Sequence, residues 1–501
     1  MFSAAKILIA LLLVPVVYRL RLHALSHVPG PLVTKISSLF LYLICYLGVE
    51  GRVLRYYHSK YGKVVRVAPN SVSIADSAAI QAIYVAGGGF PKDARYRNFN
   101  LGPIASIFSS IDTAYRDVRA KAVAPLFATG ALRLESGSRG AIGACIADFT
   151  AQLRALRAAR VPRTDLLDLC ARLSIDVVTT YLLGRSYGGL GEHAHLGLEA
   201  RQRDDAKLSA NPFVHSIVAF ARFSLLPNPL FKLFYAVSQR LSHSEEVARS
   251  FARLDAFIGE AMSPRGLDSE KGTRRYYYHE RLLAAGISPG EAAAQSKAIV
   301  FAGADSTAVM LATTLFHLVR SESARRRLRE EVAAAVAASS SSPAAADTLP
   351  FLRACVKEGL RLGMANPTSL TRVVPGPGPG LAVGGVMLPP GTVVGCAAYN
   401  LHHDPDVFPE PFAFRPERWM DDGSDGGLRR ADMARSLMPF GVGLRGCIGK
   451  NLAMLQLHDT VFSVMEQDLL EGARTCQDRI DMFEWFNGDI KGHRVDIDWD
   501  Y

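Results

Sequence analysis

The chain has 501 residues, 49% of them apolar, and a formal net charge of +10, a length that allows one large domain or two to three ordinary ones. Its arginines are scattered through Ala- and Leu-rich amphipathic stretches with no basic motif carrying interleaved aromatics, which excludes nucleic acid and leaves an acidic protein partner or anionic lipid to meet the charge. The cysteines at 45, 145, 170, 355, 396, 447 and 476 are odd in number, widely spaced and without a CxxC pair, which excludes a disulfide framework or a zinc site and points to a reducing compartment.

In chain order, residues 7–18 are unbroken apolar residues, and only Lys6 interrupts the run back to Met1. That length is marginal for a span of about 20 residues. Arg19, Arg21 and His23 follow directly, so the positive-inside rule predicts a single-pass membrane anchor over residues 1–27 with residues 28–501 cytoplasmic. A cleaved signal peptide ending near Ala24-Leu25-Ser26 competes with this reading, but nothing downstream looks secreted. Val28-Pro29-Gly30-Pro31 forms a stiff break, and the apolar run 39–49 is expected to lie against the bilayer.

Residues 62–74 read as two short strands joined by a Pro-Asn turn. From about 110 to 335 helical spacing dominates, as in Leu166, Leu169, Leu173 and Val177 or Phe301, Ala308, Leu311 and Leu315. The segment 332–347 reads as a frayed helix end and a flexible loop. Residues 371–374 and 393–396, separated by the Pro-Gly run 375–380, predict a second small sheet, and 421–430 a polar, Gly-rich loop. No period of 20 to 50 residues repeats. The sum is a single domain, mainly α with minor β.

The strongest chemical signal is Phe440-Gly441-Val442-Gly443-Leu444-Arg445-Gly446-Cys447-Ile448-Gly449. Matching its six fixed positions by accident has a probability on the order of 10⁻⁵ per chain, so a merely structural cysteine is the poorer reading here. The glycines permit a tight turn close to a flat cofactor, and a helix beginning near Gly449-Lys450-Asn451 aims its first amides at the sulfur. Such an environment stabilises a thiolate, and a thiolate on iron favours O–O cleavage.

This decapeptide resembles the heme-binding loop of the cytochrome P450 family, and further pieces stand in the family's order. Glu358-Gly359-Leu360-Arg361 resembles the ExxR helix, and Pro416-Glu417-Arg418-Trp419 the later meander whose Arg completes a Glu-Arg-Arg network. Ala302-Gly303-Ala304-Asp305-Ser306-Thr307 resembles the oxygen-side stretch of the central helix, which implies proton relay by Asp305, Ser306 and Thr307. It departs from the family in carrying Ser306 where Thr is usual, and a serine there can turn back to the carbonyl of residue 302. The resemblance covers essentially the whole chain from Val28, and is greatest to enzymes of filamentous-fungal secondary metabolism.

The resemblance implies a cytochrome P450 fold and a heme (iron protoporphyrin IX) with Cys447 as axial thiolate. Phe440 and Gly441 belong to the same loop, and Arg445, Arg119 and Arg372 are expected at the propionates. It further implies a monooxygenase of the endoplasmic reticulum membrane, supplied by NADPH-cytochrome P450 reductase and acting on a hydrophobic small molecule. Basic residues near the loop, Arg429, Arg430, Arg435 and Lys450, with 325–329, are the expected reductase face. Pocket walls are expected from 99–108, 213–223, Phe301, Ser369 with Leu370, and 483–486. A heme-thiolate isomerase and a non-catalytic heme sensor are the alternatives, and the acid and hydroxyls at 305–307 argue against both.

Overall fold

The computed structural model describes residues 13–136, 140–196, 206–241, 244–263, 276–338, 343–420 and 426–499. Helices α1 (Leu39–Tyr46) and α2 (Glu50–Tyr61) lead into strands β1 (Val64–Ala68) and β2 (Ser71–Ile74), paired antiparallel with Val64 opposite Ile74, as the Pro-Asn turn predicts. The helical body includes α3 (Thr113–Val123), α4 (Leu166–Leu183), α5 (Asn211–Phe220), α6 (Asn228–Leu241), α7 (Glu245–Met262), α8 (Pro289–Arg320) and α9 (Pro350–Gly363). After it come β3 (Arg372–Val373), β4 (Val393–Gly395), α10 (Gly426–Ser436), α11 (Lys450–Glu466) and a C-terminal pair, β5 (Met482–Phe483) and β6 (Asp489–Ile490).

Side chains cap the helices that matter most. Asp112 accepts from the Tyr115 amide at the start of α3, Asp165 from the amides of Leu167 and Asp168 at α4, and Ser288 from Glu291 at α8. Pro289 sits at the first position of α8, where its missing N–H costs nothing. Helix α8 is 32 residues long and apolar enough to cross a membrane, but 67% of its most apolar window is buried in the protein, so it is a core helix. Gly303 lets it close on α4: a Cβ there would lie 2.8 Å from Val178 Cγ2.

The strands differ from the sequence expectation. Residues 371–374 and 393–396 form no second sheet but join the first, in the order β1-β2-β4-β3, with β2 and β4 parallel and Val72 opposite Val394. Parallel pairing across more than 300 residues leaves no local signal of the kind a hairpin turn gives. The Pro-Gly run instead precedes a hairpin, Leu381–Val383 with Val386–Leu388, which periodicity missed because each strand has three residues. Residues 332–338 complete the helix Glu322–Ala338 rather than fraying, in keeping with their alanines, and 339–342 lie outside the described residues. Of the expected loop 421–430, residues 426–430 begin α10 and 421–425 lie outside the description.

Residues 1–12 of the expected anchor are likewise outside it; Leu13, Val14 and Val17 are exposed. Leu25 and Val28, however, are fully buried among Val64, Val72 and Ile74. The buried Arg66 guanidinium donates to the carbonyls of Arg19 (3.0 Å), Leu25 (3.1 Å) and Pro69 (2.7 Å). The segment before residue 28 is therefore bolted to β1.

Candidate active site

The Cys447 loop is held by its own backbone and by the ExxR helix. Cys447 N–H donates to Phe440 O (2.8 Å) and Gly441 N–H to Met438 O (3.1 Å). Gly443, at φ 71°, lies against the backbone of Tyr84, where a Cβ would fall 1.9 Å from Tyr84 O. Helix α11 starts at Lys450, so the amides of Gly449 and Lys450 face the sulfur. Burial pushes the thiol pKa up, and those two amides and the Lys450 charge oppose it. By surface area Cys447 is exposed, but the surface it exposes faces an internal cavity.

Behind the loop, Glu358 and Arg361 are fully buried and doubly bonded, at 2.8 and 3.0 Å. Glu358 also accepts from Arg418 Nε (3.0 Å), the Arg415 amide (3.0 Å) and Trp419 Nε1 (2.9 Å), which completes the expected Glu-Arg-Arg network. Arg361 donates onward to the carbonyls of His402, Pro411 and Ala413. Burial lowers the His402 pKa to about 3, so its ring is neutral. With Nδ1–H on Arg361 O (3.2 Å), Nε2 accepts the Met438 amide (3.0 Å). An unbroken chain of hydrogen bonds thus runs from the ExxR pair to the residue that opens the Cys447 loop.

The cavity above Cys447 has a volume of about 1000 Å³. Phe440, Gly441, Arg445 and Gly446 line it beside the thiol, and Phe301, Ala302, Gly303, Ser306, Thr307 and Met310 of α8 line it opposite. Ser306 Oγ donates back to Ala302 O (2.6 Å), the turn-back its identity allows. Asp305 does not line the cavity but bonds Asn487, which does. Phe99, Phe108 and Phe486 pack with Tyr96 as one aromatic cluster, with centroids 4.4 to 6.0 Å apart. Of the expected walls, Leu370 and Phe486 face the cavity whereas Ser369, Phe483 and Trp485 do not. Phe231 and Tyr235 of α6 and Phe251 of α7 line it without having been foreseen, because amphipathic helices present their core and pocket residues at the same spacing.

No aspartate or glutamate lines the cavity among the described residues, yet Lys92, Arg116, Arg372 and Arg445 do. Arg372 is held by Tyr96 Oη (3.3 Å) and Thr371 O (2.9 Å), and Arg445 by Ser110 O (3.0 Å) and Thr113 Oγ1 (3.1 Å). Lys92 is bridged to Arg372 at the sheet edge, donates to Phe108 O and lies over the rings of Tyr96 and Phe108. Burial first, then the charges of Arg372, Arg445 and Arg116, hold its pKa well below normal. Arg119 does not reach the cavity: Glu291 takes it in two bonds (2.5 and 3.0 Å), and its guanidinium lies 3.4 Å over Tyr115. One turn earlier on α3, Arg116 lines the cavity in its place.

Arg116 is paired with Asp117 (3.0 Å) from outside the cavity, and basic residues gathered at one end of an apolar cavity, with a thiol on its wall, fit a flat, apolar cofactor that carries its own carboxylates. This is what heme requires, and the donor set matches it.

The comparisons agree with that fit. Residues 38–467 match the profile of the family described as Cytochrome P450. The chain is 62% identical over 495 residues to the cytochrome P450 monooxygenase mfmF of Annulohypoxylon moriforme, covering 98% of each chain. It is 26% identical to the cytochrome P450 monooxygenase poxM of Penicillium oxalicum, over 90% of this chain and 85% of that one. It is 27% identical to the pisatin demethylase of Fusarium vanettenii, over 89% and 83%. With the thiol loop, the buried Glu-Arg-Arg network and this coverage together, the chain belongs to the cytochrome P450 family, as a monooxygenase with a heme cofactor.

Proposed function

We propose that this chain is a membrane-anchored heme-thiolate monooxygenase that inserts one oxygen atom from O2 into a hydrophobic small molecule, an intermediate of secondary metabolism, using electrons from NADPH through a reductase. The observation that carries it is the opposition of the Cys447 thiol and the Ser306-Thr307 face of α8 across one largely aromatic cavity. Cys447 would hold the iron, Phe440 and Gly441 would lie along the ring, and Lys92, Arg116, Arg372 and Arg445 would take the propionates. When bound, the heme supplies the activation of dioxygen. The phenyl walls exclude water and bind apolar surface, and Asp305, Ser306 and Thr307 hold and move protons on the opposite side. Eight fungal relatives, seven named monooxygenases and one a demethylase, support a small organic substrate.

Exposed Leu39, Leu43 and Tyr46 of α1 and Leu233, Phe234 and Val237 of α6 support the membrane contact. Phe223 joins the two sets, its ring 5.6 Å from Tyr46 and 5.6 Å from Phe234. This reading places the segment before Arg19 in the endoplasmic reticulum membrane with the catalytic domain in the cytoplasm, while residues 19–27 of the expected anchor are packed against β1. For the reductase face, Arg325 and Arg329 are engaged with Glu471 and Asp468 and Arg435 with Asp432, while Lys450 is exposed beside the Cys447 loop. Turnover under ¹⁸O2 tests the reaction: one labelled atom per product and one NADPH consumed are expected. Unlabelled product formed without NADPH would identify an isomerase instead.

A further inference from the structure

The central-helix acid has neighbours that the relay reading does not use. Asn487, on the turn before β6, bonds Asp305 from the cavity side. Two residues on, Asp489 Oδ1 meets His493 Nδ1 at 3.2 Å, with the His493 side chain 43% exposed and that of Asp489 14%. The His493 ring stacks on His215 of α5, centroids 4.0 Å apart and 25° from parallel. Helix α5 and the C-terminal hairpin segment around β6 therefore bring His215, His493 and Asp489 into one cluster that begins at solvent, with Asp305 of α8 within reach of its charge.

We propose that this hairpin is the proton inlet of the active site, with His493 and Asp489 returning to Asp305 each proton that Asp305 releases toward the cavity. The inlet rests on the reading of Asp305 as part of the relay. A solvent proton enters at His493 Nε2, the Nδ1 proton passes to Asp489 Oδ1, and Asp489 restores the Asp305 carboxyl. One proton enters for each that leaves, and only N–H and O–H bonds are exchanged. Asn487 donates to Asp305 and positions it.

The charges around the cluster agree with that direction of flow. His493 is raised above its ordinary value, chiefly by its bond to Asp489, with Asp305 adding to it, while burial and Lys207 act against it. Lys207 donates to the His493 carbonyl at 3.4 Å and is paired with Asp165. Arg494, the next residue, is spent on Asp496. Burial first and His493 second lower His215 to about 4, so it is a neutral stacking partner and not a competing base. Asp305 is pushed up to about 7, by burial first and Asp489 second, so it can carry a proton at neutral pH and give it up. Because α5 also lines the cavity through Ser216, Ile217 and Phe220, the His215 stack ties the inlet to the wall that touches substrate.

The test uses full-length, heme-loaded enzyme with His493→Gln, Asp489→Asn and Asp305→Asn, each checked for an unchanged ferrous carbon monoxide spectrum. Product per NADPH is expected to fall about tenfold in all three. The solvent deuterium isotope effect should rise in the two hairpin variants, and wild-type coupling should decline as pH passes above the His493 midpoint. An NMR titration of His493 reads the same linkage without turnover: Asp305→Asn and Asp489→Asn should each lower its midpoint, the latter by about one pH unit. Uncoupling in Asp305→Asn with unchanged coupling in both hairpin variants would overturn the inlet and leave the relay standing. Unchanged coupling in Asp305→Asn would overturn the relay and the inlet with it. Should the hairpin variants lose the spectrum, a His493 midpoint that does not move in Asp305→Asn would still overturn the inlet.

Discussion

At the scale of single residues, the charges tell most about the site. Lys92, Arg116, Arg372 and Arg445 gather where no carboxylate among the described residues lines the cavity, an arrangement that a bound anion would complete. Arg116 and Arg119 share a face of α3, and the difference between them is Glu291, 172 residues away in sequence, which captures Arg119. Sequence spacing cannot see such a partner, which is why the family interval alone points to Arg119, the one of the two that is paired with Glu291. Arg445 was legible because it is two residues from Cys447, whereas Lys92 was not, because it reaches the site only through its bridge to Arg372 across the sheet edge. Arg116→Ala should weaken heme retention about 10- to 100-fold, the loss of one hydrogen bond to a charged group, measured by heme transfer to an apo-acceptor protein. Arg119→Ala should leave retention within about threefold and cost about 1 kcal/mol of stability.

At the scale of elements, local signals were legible except in the three-residue strands of the 381–388 hairpin, and long-range ones were not. The strands around the Pro-Asn turn, the helix after Cys447 and the apolar helix α8 each declare themselves in fewer than 35 consecutive residues. The parallel pairing of β2 with β4 does not, nor does the burial of Leu25 beneath the sheet. That burial separates two truncations. Removing residues 1–17 leaves every acceptor of Arg66 in place, whereas removing 1–27 takes away two of its carbonyls and a fully buried leucine. The shorter deletion should leave the thermal midpoint unchanged. The longer one should cost about 3–5 kcal/mol by the loss of core packing and an unsatisfied guanidinium, read as a lowered urea midpoint. Equal midpoints would mean that the segment before residue 28 is not bolted to β1.

For the whole molecule, buried titratable groups set a pH window. His215, His317 and His458 are lowered to about 4 and His402 to about 3, in each case chiefly by burial. An unfolded histidine takes up a proton near its ordinary 6.5 while these stay neutral, so each withdraws stability as pH falls from 6.5 toward 4. Glu50, Asp305 and Asp459 are raised to about 7, again chiefly by burial. In the unfolded chain they ionise near 4, so each withdraws stability as pH rises from there to 7. Of these seven groups, four histidines outweigh three carboxyls below pH 6.5 and the carboxyls act alone just above it, so their joint contribution to stability should peak between about pH 6 and 7. Chemical denaturation across pH 4 to 8 measures it, and Asp459→Asn should flatten the decline on the alkaline side. The family was legible because each of its motifs is a short run of consecutive residues, while the substrate was not, because the cavity wall is drawn from helices far apart in sequence. The central claim is that Cys447 places a thiolate on the heme iron, and the absorption spectrum of the reduced protein under carbon monoxide tests it most directly. The expected result is the red-shifted Soret band of thiolate ligation, lost in Cys447→Ser and Cys447→His. A band typical of histidine ligation in the wild-type protein, or a red-shifted band that survives Cys447→Ser, would contradict it.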